Sequence, residues 1–597
     1  MSNIGFRRTH MCAELNEGNA GELVNLSGWV QRTRNLGSII FVWLRDRTGL
    51  IQLVFDEKDC DKETFALGES LRSEYVLSVQ GKVCLRDEAA VNEKLKTGRI
   101  EVFVQKAILL NKAETPPIYI DDDHPDESET VRMKYRYLDI RRPSVQHTLR
   151  MRHKILQTLR NYMDSQEFVE VETPILTKST PEGARDFLVP SRLHHGTFYA
   201  LPQSPQIYKQ LLMLGGYDRY FQIARCFRDE DSRADRQPEF TQCDIEMSFV
   251  EPEDVQTVVE GAFAEVFRTI KGIELKLPLE RITWQYAMDT YGSDKPDRRF
   301  GLTIHDVSDV VKNSGFTVFA RALESGGTVR AINAKGLAAK ISRKEIDALN
   351  EFVKTFKAKG LAWIKVQEGG ALQSPIAKFF SEEEKNALLA ALCAEPGDAL
   401  FFIADKDSVV LQSLGALRLE IAKKYDLIDK DKYDLFWVTE FPLLEYDEEE
   451  GRYVAMHHPF TSAMDEDLDK MDTEPGKVRA KAYDLVLNGI EMGSGSIRIH
   501  SSEVQERMFK LIGLPRDLAW QRFGFMLEAF KYGVPPHGGF AFGVDRLIMQ
   551  LTGAQSLRDV IAFPKAANAA CLMMDTPSDV DPEQLKMCGI AIVDEEK

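Results

Sequence analysis

Two alternating stretches around a dense cluster of charge do most to constrain this chain. Residues 225–240, Arg-Cys-Phe-Arg-Asp-Glu-Asp-Ser-Arg-Ala-Asp-Arg-Gln-Pro-Glu-Phe, hold four arginines and five carboxylates. Before the cluster, Phe221, Ile223, Arg225 and Phe227 alternate with Tyr220, Gln222, Ala224 and Cys226. After it, Gln242, Asp244 and Glu246 alternate with Cys243, Ile245 and Met247. Side chains two apart on a strand share a face, so the second stretch has one acidic and one apolar face. A hairpin of this kind gathers cations and anions on one sheet surface, which suits a ligand carrying both phosphate and amine groups.

Upstream, Val24–Val30, Ile39–Leu44, Leu50–Phe55, Val76–Val83 and Arg99–Leu109 read as five strands separated by glycine-containing turns. Five strands in about ninety residues point to a small barrel, of which the OB-fold is the commonest nucleic-acid-binding type. The formal net charge of −17 argues against a nucleic-acid partner. Residues 1–115, however, hold sixteen Lys+Arg against sixteen Asp+Glu, and binding depends on local patches rather than on the total. Pro116-Pro117 and the acidic stretch 121–129 read as a linker. A helix is expected over 144–164, capped by Ser144, with Val145, Leu149, Ile155, Leu156 and Leu159 as its apolar stripe. Phe168–Pro174 follows as a strand. Residues 295–425 alternate helices and strands with few catalytic clusters and read as an inserted domain.

No apolar run approaches the roughly 18 residues of a membrane helix. The amino-terminal residues have no apolar core of a secretion signal. Eight cysteines without CxxC pairs point to a reducing cytoplasm rather than to zinc or disulfides.

Arg228 and Arg546 stand out as phosphate ligands, because an arginine fork matches phosphate oxygens and keeps its charge. In Gly538-Gly-Phe-Ala-Phe-Gly-Val-Asp-Arg546 the glycines would let a flat ring approach the backbone. The same string also suits a strand–helix junction with a buried ion pair. Asp484 and Glu491, seven apart, would lie two turns along one side of a helix. Two carboxylates beside phosphates are the usual arrangement for magnesium. Ser496, Arg498 and His500 share a strand face. His457-His458 is a further candidate, Glu182 sits in a loop read as mobile, and Gln206 and Lys209 share one side of a helix.

In order along the chain, a helix–strand ending at Thr173-Pro174, the Phe-Arg-Asp-Glu hairpin and the Gly-Val-Asp-Arg strand–helix resemble the three signature motifs of class II aminoacyl-tRNA synthetases. With Thr-Pro-Glu-Gly-Ala-Arg-Asp (180–186), Gln-Ser-Pro-Gln (203–206), the barrel and the large insertion, the chain resembles their bacterial-type aspartyl branch. That resemblance implies an α+β multidomain protein: an OB-fold anticodon-binding barrel over 1–112, a hinge over 113–143, an antiparallel catalytic sheet flanked by helices over 144–290 and 426–565, an inserted α/β domain over 291–425 and an extension over 566–597. It implies activation of aspartate by ATP with Mg²⁺, transfer to the 3′ end of a tRNA, a homodimer, and no membrane partner.

The implied catalytic residues are Arg228, Arg546 and Glu491. The implied ATP contacts are Arg228 on the α-phosphate, Asp229, Glu230, Gln237, Gly543, Val544, Asp545 and Glu491, with Phe240 and Arg546 sandwiching adenine. Glu182, Gln206, Lys209, Arg228, Asp244, His457 and Arg498 would enclose aspartate, Asp484 and Glu491 would hold Mg²⁺, and Arg34, Phe41 and Gln52 would read the anticodon. Arg498 and Lys209 would meet the β-carboxylate, Glu182 and Asp244 the ammonium. Leu36 stands where relatives that also charge tRNA(Asn) carry histidine, which leans towards tRNA(Asp) alone. Asparaginyl and lysyl relatives, an RNA-binding protein with an inactive catalytic domain, and an ATP-dependent ligase of free small molecules are the rival readings. Amino-acid-dependent pyrophosphate exchange and tRNA-dependent AMP release separate them.

Overall fold

The computed structural model describes residues 5–124, 127–180 and 184–593, which form two compact units. Of the described residues, one unit comprises those up to 154 with 231–237 and 548–580; the other comprises those in 155–230, 238–547 and 581–593. Among the described residues no helix is long and apolar enough to cross a membrane, and all eight cysteines are free thiols.

The first unit is built on a closed barrel of β1 (Leu23–Asn35), β2 (Ile39–Asp46), β3 (Gly49–Asp56), β4 (Val76–Leu85) and β5 (Ile100–Asn111), in the order β1-β2-β3-β5-β4. Closure depends on the length of β1. Leu23–Trp29 pair with β4, and Trp29–Asn35 pair with β2 across a bulge. Val24, Leu26, Val42, Leu53, Val79 and Val102 alternate inward to fill it. After the barrel, the stretch read as linker is partly packed. The buried Asp139 accepts hydrogen bonds from Arg132 and Arg136, and Arg136 also donates to the carbonyls of Arg558, Ile561 and Ala562.

The expected helix runs from Pro143 to Ser165. Proline takes its first turn, and Ser144 does not cap it. Asp122 instead accepts from both the Ser144 amide and its hydroxyl. The strand expected over 168–174 shortens to β6 (Val169–Glu170), and Thr173 leaves it to donate to the Gln222 side chain.

The second unit holds an eight-stranded sheet made of β6, β7 (Arg219–Phe227), β8 (Glu239–Ser248), β9 (Arg281–Thr283), β10 (Leu435–Thr439), β11 (Ala482–Leu487), β12 (Ile490–Ile497) and β13 (His537–Gly543). Its order is β9-β10-β11-β12-β13-β8-β7-β6, antiparallel except at the two edge pairs, β9–β10 and β6–β7. Between β9 and β10 the chain builds a second sheet of five antiparallel strands, in the order 304–306, 328–334, 399–405, 362–366, 372–373, with helices such as Asp407–Lys424 against it.

Register fixes what the central face of the large sheet carries. Asp244 lies opposite Gln222 and Ala541, Glu246 opposite Tyr220 and Gly539, and Gly539 in turn opposite Ser496. Residues directly opposite one another share a face, so the Glu246 side chain stands beside Gly539 of β13. A Cβ at Gly539 would come 2.0 Å from Glu246 Oε2 and 2.2 Å from the Ile245 carbonyl oxygen. A Cβ at Gly543 would meet only Arg546 side-chain carbons, the nearest at 3.7 Å. Gly539→Ala is therefore expected to cost about 1–3 kcal/mol through forced separation of β8 and β13. Gly543→Ala should stay within about 1 kcal/mol of the parent. Urea unfolding of the two variants decides this, and equal losses would contradict the register argument.

Candidate active site

Four charged residues meet on the face that Gly539 leaves open. Arg498 donates from Nε to Glu246 Oε1 at 2.9 Å and from Nη2 to Glu246 Oε2 at 3.0 Å, a bidentate fork with both partners buried. Lys209, on the helix Gln206–Leu214, donates to Asp244 Oδ1 at 3.2 Å and lies 3.5 Å from Glu246 Oε2. Its neighbours bring the opposite charge, so each cation enters the low dielectric already compensated. Burial works against the charged form of Glu246, but Arg498 and Lys209 outweigh it and hold the carboxyl below its ordinary range. Burial dominates at Asp244, which is pushed up despite Lys209. The two cations and two anions thus form one chain rather than separate cationic and anionic ends. Asp244 stands against Lys209, while Glu182, its expected companion, lies outside the described residues.

Arg498 is held from a second side. Its Nη1 donates to Ser496 Oγ at 2.6 Å and lies 2.8 Å from His458 Nε2. Burial, with Arg498 alongside, keeps His458 well below its usual range and hence neutral. The tandem histidines therefore divide. His458 faces Arg498, whereas His457 sits 3.4 Å from Asp484 Oδ1 with its ring edge-on to Phe441.

A chain of side-chain hydrogen bonds sets Gln206. His537 Nδ1 lies 2.8 Å from the Pro535 carbonyl oxygen and Nε2 lies 3.1 Å from Gln210 Nε2. Nδ1 must carry the proton, so Nε2 accepts from Gln210. Gln210 Oε1 then accepts from Gln206 Nε2 at 3.1 Å, so the chain ends in the Gln206 carbonyl oxygen. Nearby, the Gln203 amide donates to the Ala184 carbonyl and to Asp186 and accepts from the Ala184 amide, which anchors one arm of the 180–187 loop.

Of the four arginines in the cluster, Arg225 turns to the other face and pairs with Glu239. Arg233 and Arg236 face each other in a turn of the first unit. Arg228 remains, with its Cζ 5.2 Å from the Phe240 ring centroid and a buried Nε that makes no hydrogen bond. Asp229 and Glu230 follow it in the loop. The Asp229 amide donates to the Arg185 carbonyl and the Glu230 amide to that of Arg228. Pairing of Gln242 with Gly543 brings the Arg228–Phe240 end of the hairpin and the Arg546 helix to the same edge of the face.

Arg546 donates to the Glu491 carbonyl at 3.1 Å. The buried Asp545 accepts from the Thr241 amide at 2.8 Å, and Val544 is buried, so both side chains secure the strand–helix junction and leave only main chain to meet a ligand. Gln237 lies in the first unit, where both ends of its amide engage the Lys565 backbone.

Asp484 and Glu491 do not share a helix, as their spacing led one to expect. They occupy adjacent strands of a hairpin, β11 and β12, joined at Asn488-Gly489. A bulge between Leu485 and Val486 skips Met492, so Glu491 pairs with Val486 instead of falling on the opposite face. That bulge puts both carboxylates on one side. Among the described residues no group of three or more His, Cys, Asp and Glu converges as a metal cage. Two carboxylates, one of them with a buried Oδ1 that makes no hydrogen bond, suit a cation that keeps water and phosphate as its other ligands.

In the barrel, Arg34 is opposite Phe41, and Trp43 opposite Gln52. Arg32, Arg34, Phe41, Trp43 and Gln52 all point outward. Trp43 Nε1 donates to Gln52 Oε1 at 3.3 Å, and Gln52 Nε2 donates to Glu101 at 2.8 Å, so the glutamine is fixed on an aromatic surface. Glu246, Gln210 and His537 in the site, and Arg32, Trp43 and Glu101 on the barrel, were missed as functional candidates, whereas His458 was named only as half of the tandem pair. For Glu246 the signal was present, since it alternates in step with Asp244.

An antiparallel sheet with a motif hairpin, a glycine-lined neighbouring strand and an arginine at the head of the following helix defines a class II tRNA synthetase. Residues 128–567 match the model described as tRNA synthetases class II (D, K and N), and residues 24–110 match the OB-fold nucleic acid binding domain. The chain belongs to that class II family. Within it, the chain is similar to the aspartate–tRNA(Asp/Asn) ligase of Lachnoclostridium phytofermentans, 57% identical over 588 residues and 98% of each chain. It is similar also to the aspartate–tRNA ligase of Clostridium botulinum, 56% identical over 592 residues and 99% of each. Among solved structures it resembles in fold the asparaginyl-tRNA synthetase of Pyrococcus horikoshii complexed with asparaginyl-adenylate, with a TM-score of 0.58, 18% identity, and coverage of 96% of this chain and 100% of that one.

The buried fork changes what loss of Arg498 does. Arg498→Leu leaves the buried Glu246 with Lys209, 3.5 Å away, as its one remaining cation, and should cost up to about 3–5 kcal/mol of stability as well as activity. Adding Glu246→Gln should restore most of the stability and none of the activity. Denaturant midpoints and exchange rates of the two variants test this; a single variant as stable as the parent would contradict it.

Proposed function

We propose that this protein activates L-aspartate with ATP to aspartyl-adenylate and pyrophosphate, and then transfers the aspartyl group to the 3′ end of tRNA(Asp) with release of AMP. The observation that carries the reading is the Lys209–Asp244–Glu246–Arg498 chain on the open face of the sheet. Arg498 has five N–H groups, and its two bonds to Glu246 and one to Ser496 leave one on Nη2 and one on Nη1. Lys209 keeps further N–H groups beyond the one given to Asp244. A side-chain carboxylate accepts at both oxygens from such donors. The amide of asparagine would turn an NH₂ group towards one of them. The carbonyl oxygen of Gln206, whose NH₂ is spent on Gln210, is assigned to the substrate ammonium, as is Glu182.

In the first step an α-carboxylate oxygen of aspartate attacks the α-phosphorus, the new O–P bond forming as the bond to pyrophosphate breaks. Arg228 is assigned to the α-phosphate, where its unpartnered Nε is available, and Phe240 and Arg546 to the two faces of adenine. Asp484 and Glu491 would hold Mg²⁺, which neutralises charge on the phosphates. In the second step a ribose hydroxyl of tRNA attacks the acyl carbonyl, its proton is released, and AMP leaves. Positioning and electrostatics carry both steps, with no side chain required as nucleophile. On the barrel, Phe41 and Trp43 offer rings for unstacked anticodon bases, with Arg34 and Gln52 beside them. Leu36 is 56% exposed, and the restriction to tRNA(Asp) rests on its standing where relatives that also charge tRNA(Asn) carry histidine. The reading carries with it a cytoplasmic homodimer.

The test is ATP–pyrophosphate exchange with each candidate amino acid, followed by charging of tRNA transcripts. Exchange should depend on L-aspartate, fall at least about 10²-fold in Arg228→Ala, and lead to charging of tRNA(Asp) and not tRNA(Asn). Exchange driven equally by asparagine or lysine would overturn the assignment.

A further inference from the structure

The segment leading from the helix Trp284–Tyr291 into the insertion carries a lysine to the carboxylate pair of β11 and β12. Lys295 Nζ lies 3.5 Å from Glu491 Oε2 and 3.9 Å from Asp294 Oδ1. Asp484 stands on the same face, with its buried Oδ1 3.4 Å from His457 Nε2.

The position of Lys295 is determined by the residues just after it. Arg298 forks onto Asp434 with two contacts of 2.9 Å and lies 3.7 Å from the Phe436 ring centroid. The Asp297 carboxylate holds Arg299, and its carbonyl accepts from Arg418 of the helix Asp407–Lys424. A Cβ at Gly489, in the turn joining β11 to β12, would come 2.8 Å from Asp297 Cβ, so the segment rests directly on that hairpin. The clamp at 297–299 is rigid, whereas the Lys295 side chain is 46% exposed and can swing.

We propose that Lys295 is the built-in counter-ion on the Glu491 side of the Asp484–Glu491 pair, balancing Glu491 in the free protein and yielding it to Mg²⁺ only when ATP phosphates arrive. The proposal rests on the reading of that pair as the magnesium holders. Two carboxylates on one face, with Glu491 lacking a cation of its own, would draw a divalent ion by themselves. An ammonium already beside one of them opposes that entry by direct charge repulsion and by occupying an acceptor. When ATP brings its phosphates, it supplies both the missing metal ligands and a new anionic partner for the displaced ammonium. The segment at the entrance to the insertion thereby makes metal binding conditional on nucleotide.

The experiment is Mn²⁺ titration of the full chain without ATP, read by the electron paramagnetic resonance signal of free Mn²⁺. Lys295→Met should bind Mn²⁺ at least about tenfold more tightly than the parent, and Lys295→Arg should resemble the parent. Calorimetric melting confirms that each variant is folded. Equal or weaker Mn²⁺ binding by folded Lys295→Met overturns the proposal. Glu491→Gln separates the two readings. If it abolishes Mn²⁺ binding while Lys295→Met leaves affinity unchanged, the counter-ion role fails and the metal pair stands. If Mn²⁺ binding is indifferent to Glu491→Gln, the metal pair itself fails and the counter-ion role falls with it.

Discussion

A guanidinium with almost no exposed surface needs a carboxylate, and Glu246 supplies one to Arg498 through hydrogen bonds of 2.9 and 3.0 Å. That fork requires space above β13, which the missing side chain of Gly539 provides. It also requires Ser496 and His458 at the other side of the guanidinium. Lys209 is drawn into the same chain through Asp244 and Glu246, so a helix, three strands and a loop are tied at one point. Isolated buried ion pairs contribute little to stability, because desolvation offsets attraction. What this one supplies is geometry: two cations fixed in place, with N–H groups beyond those spent on the ion pairs.

The proposed amino-acid and nucleotide positions take different stretches of the same face. The ion-pair chain lies where Glu246 faces Gly539, and Arg228, Phe240 and Arg546 lie where the hairpin end meets the start of the helix Val544–Thr552. Asp545 fixes that junction through the Thr241 amide. Asp484 and Glu491 reach the face from β11 and β12 because of one bulge. An amino acid and a nucleotide bound side by side on such a surface are held for reaction by position alone, which fits the lack of any required nucleophile.

Much of this was legible because strands have a period of two. The acidic face of β8, the apolar face behind it and the five barrel strands follow directly from alternation. What was not legible depended on contacts distant in sequence or on single-residue irregularities. Nothing local to Glu246 says that its partner is 252 residues away. Asp484 and Glu491 satisfy helical spacing, and only the bulge at Met492 makes strands compatible with their common face. His457 and His458 are indistinguishable as a pair, yet the turn before Phe460 sends one to Asp484 and the other to Arg498. Ser144 has the chemistry of a cap, but Asp122 reaches the helix end first.

The central claim is that the Lys209–Asp244–Glu246–Arg498 chain selects a carboxylate next to a bound nucleotide. Calorimetric titration with two non-hydrolysable sulfamoyl adenosines, one aspartyl and one asparaginyl, measures it without turnover. The account predicts that the aspartyl compound binds at least about 10²-fold more tightly, the cost of facing charged donors with an amide. Equal affinities for the two compounds would contradict it.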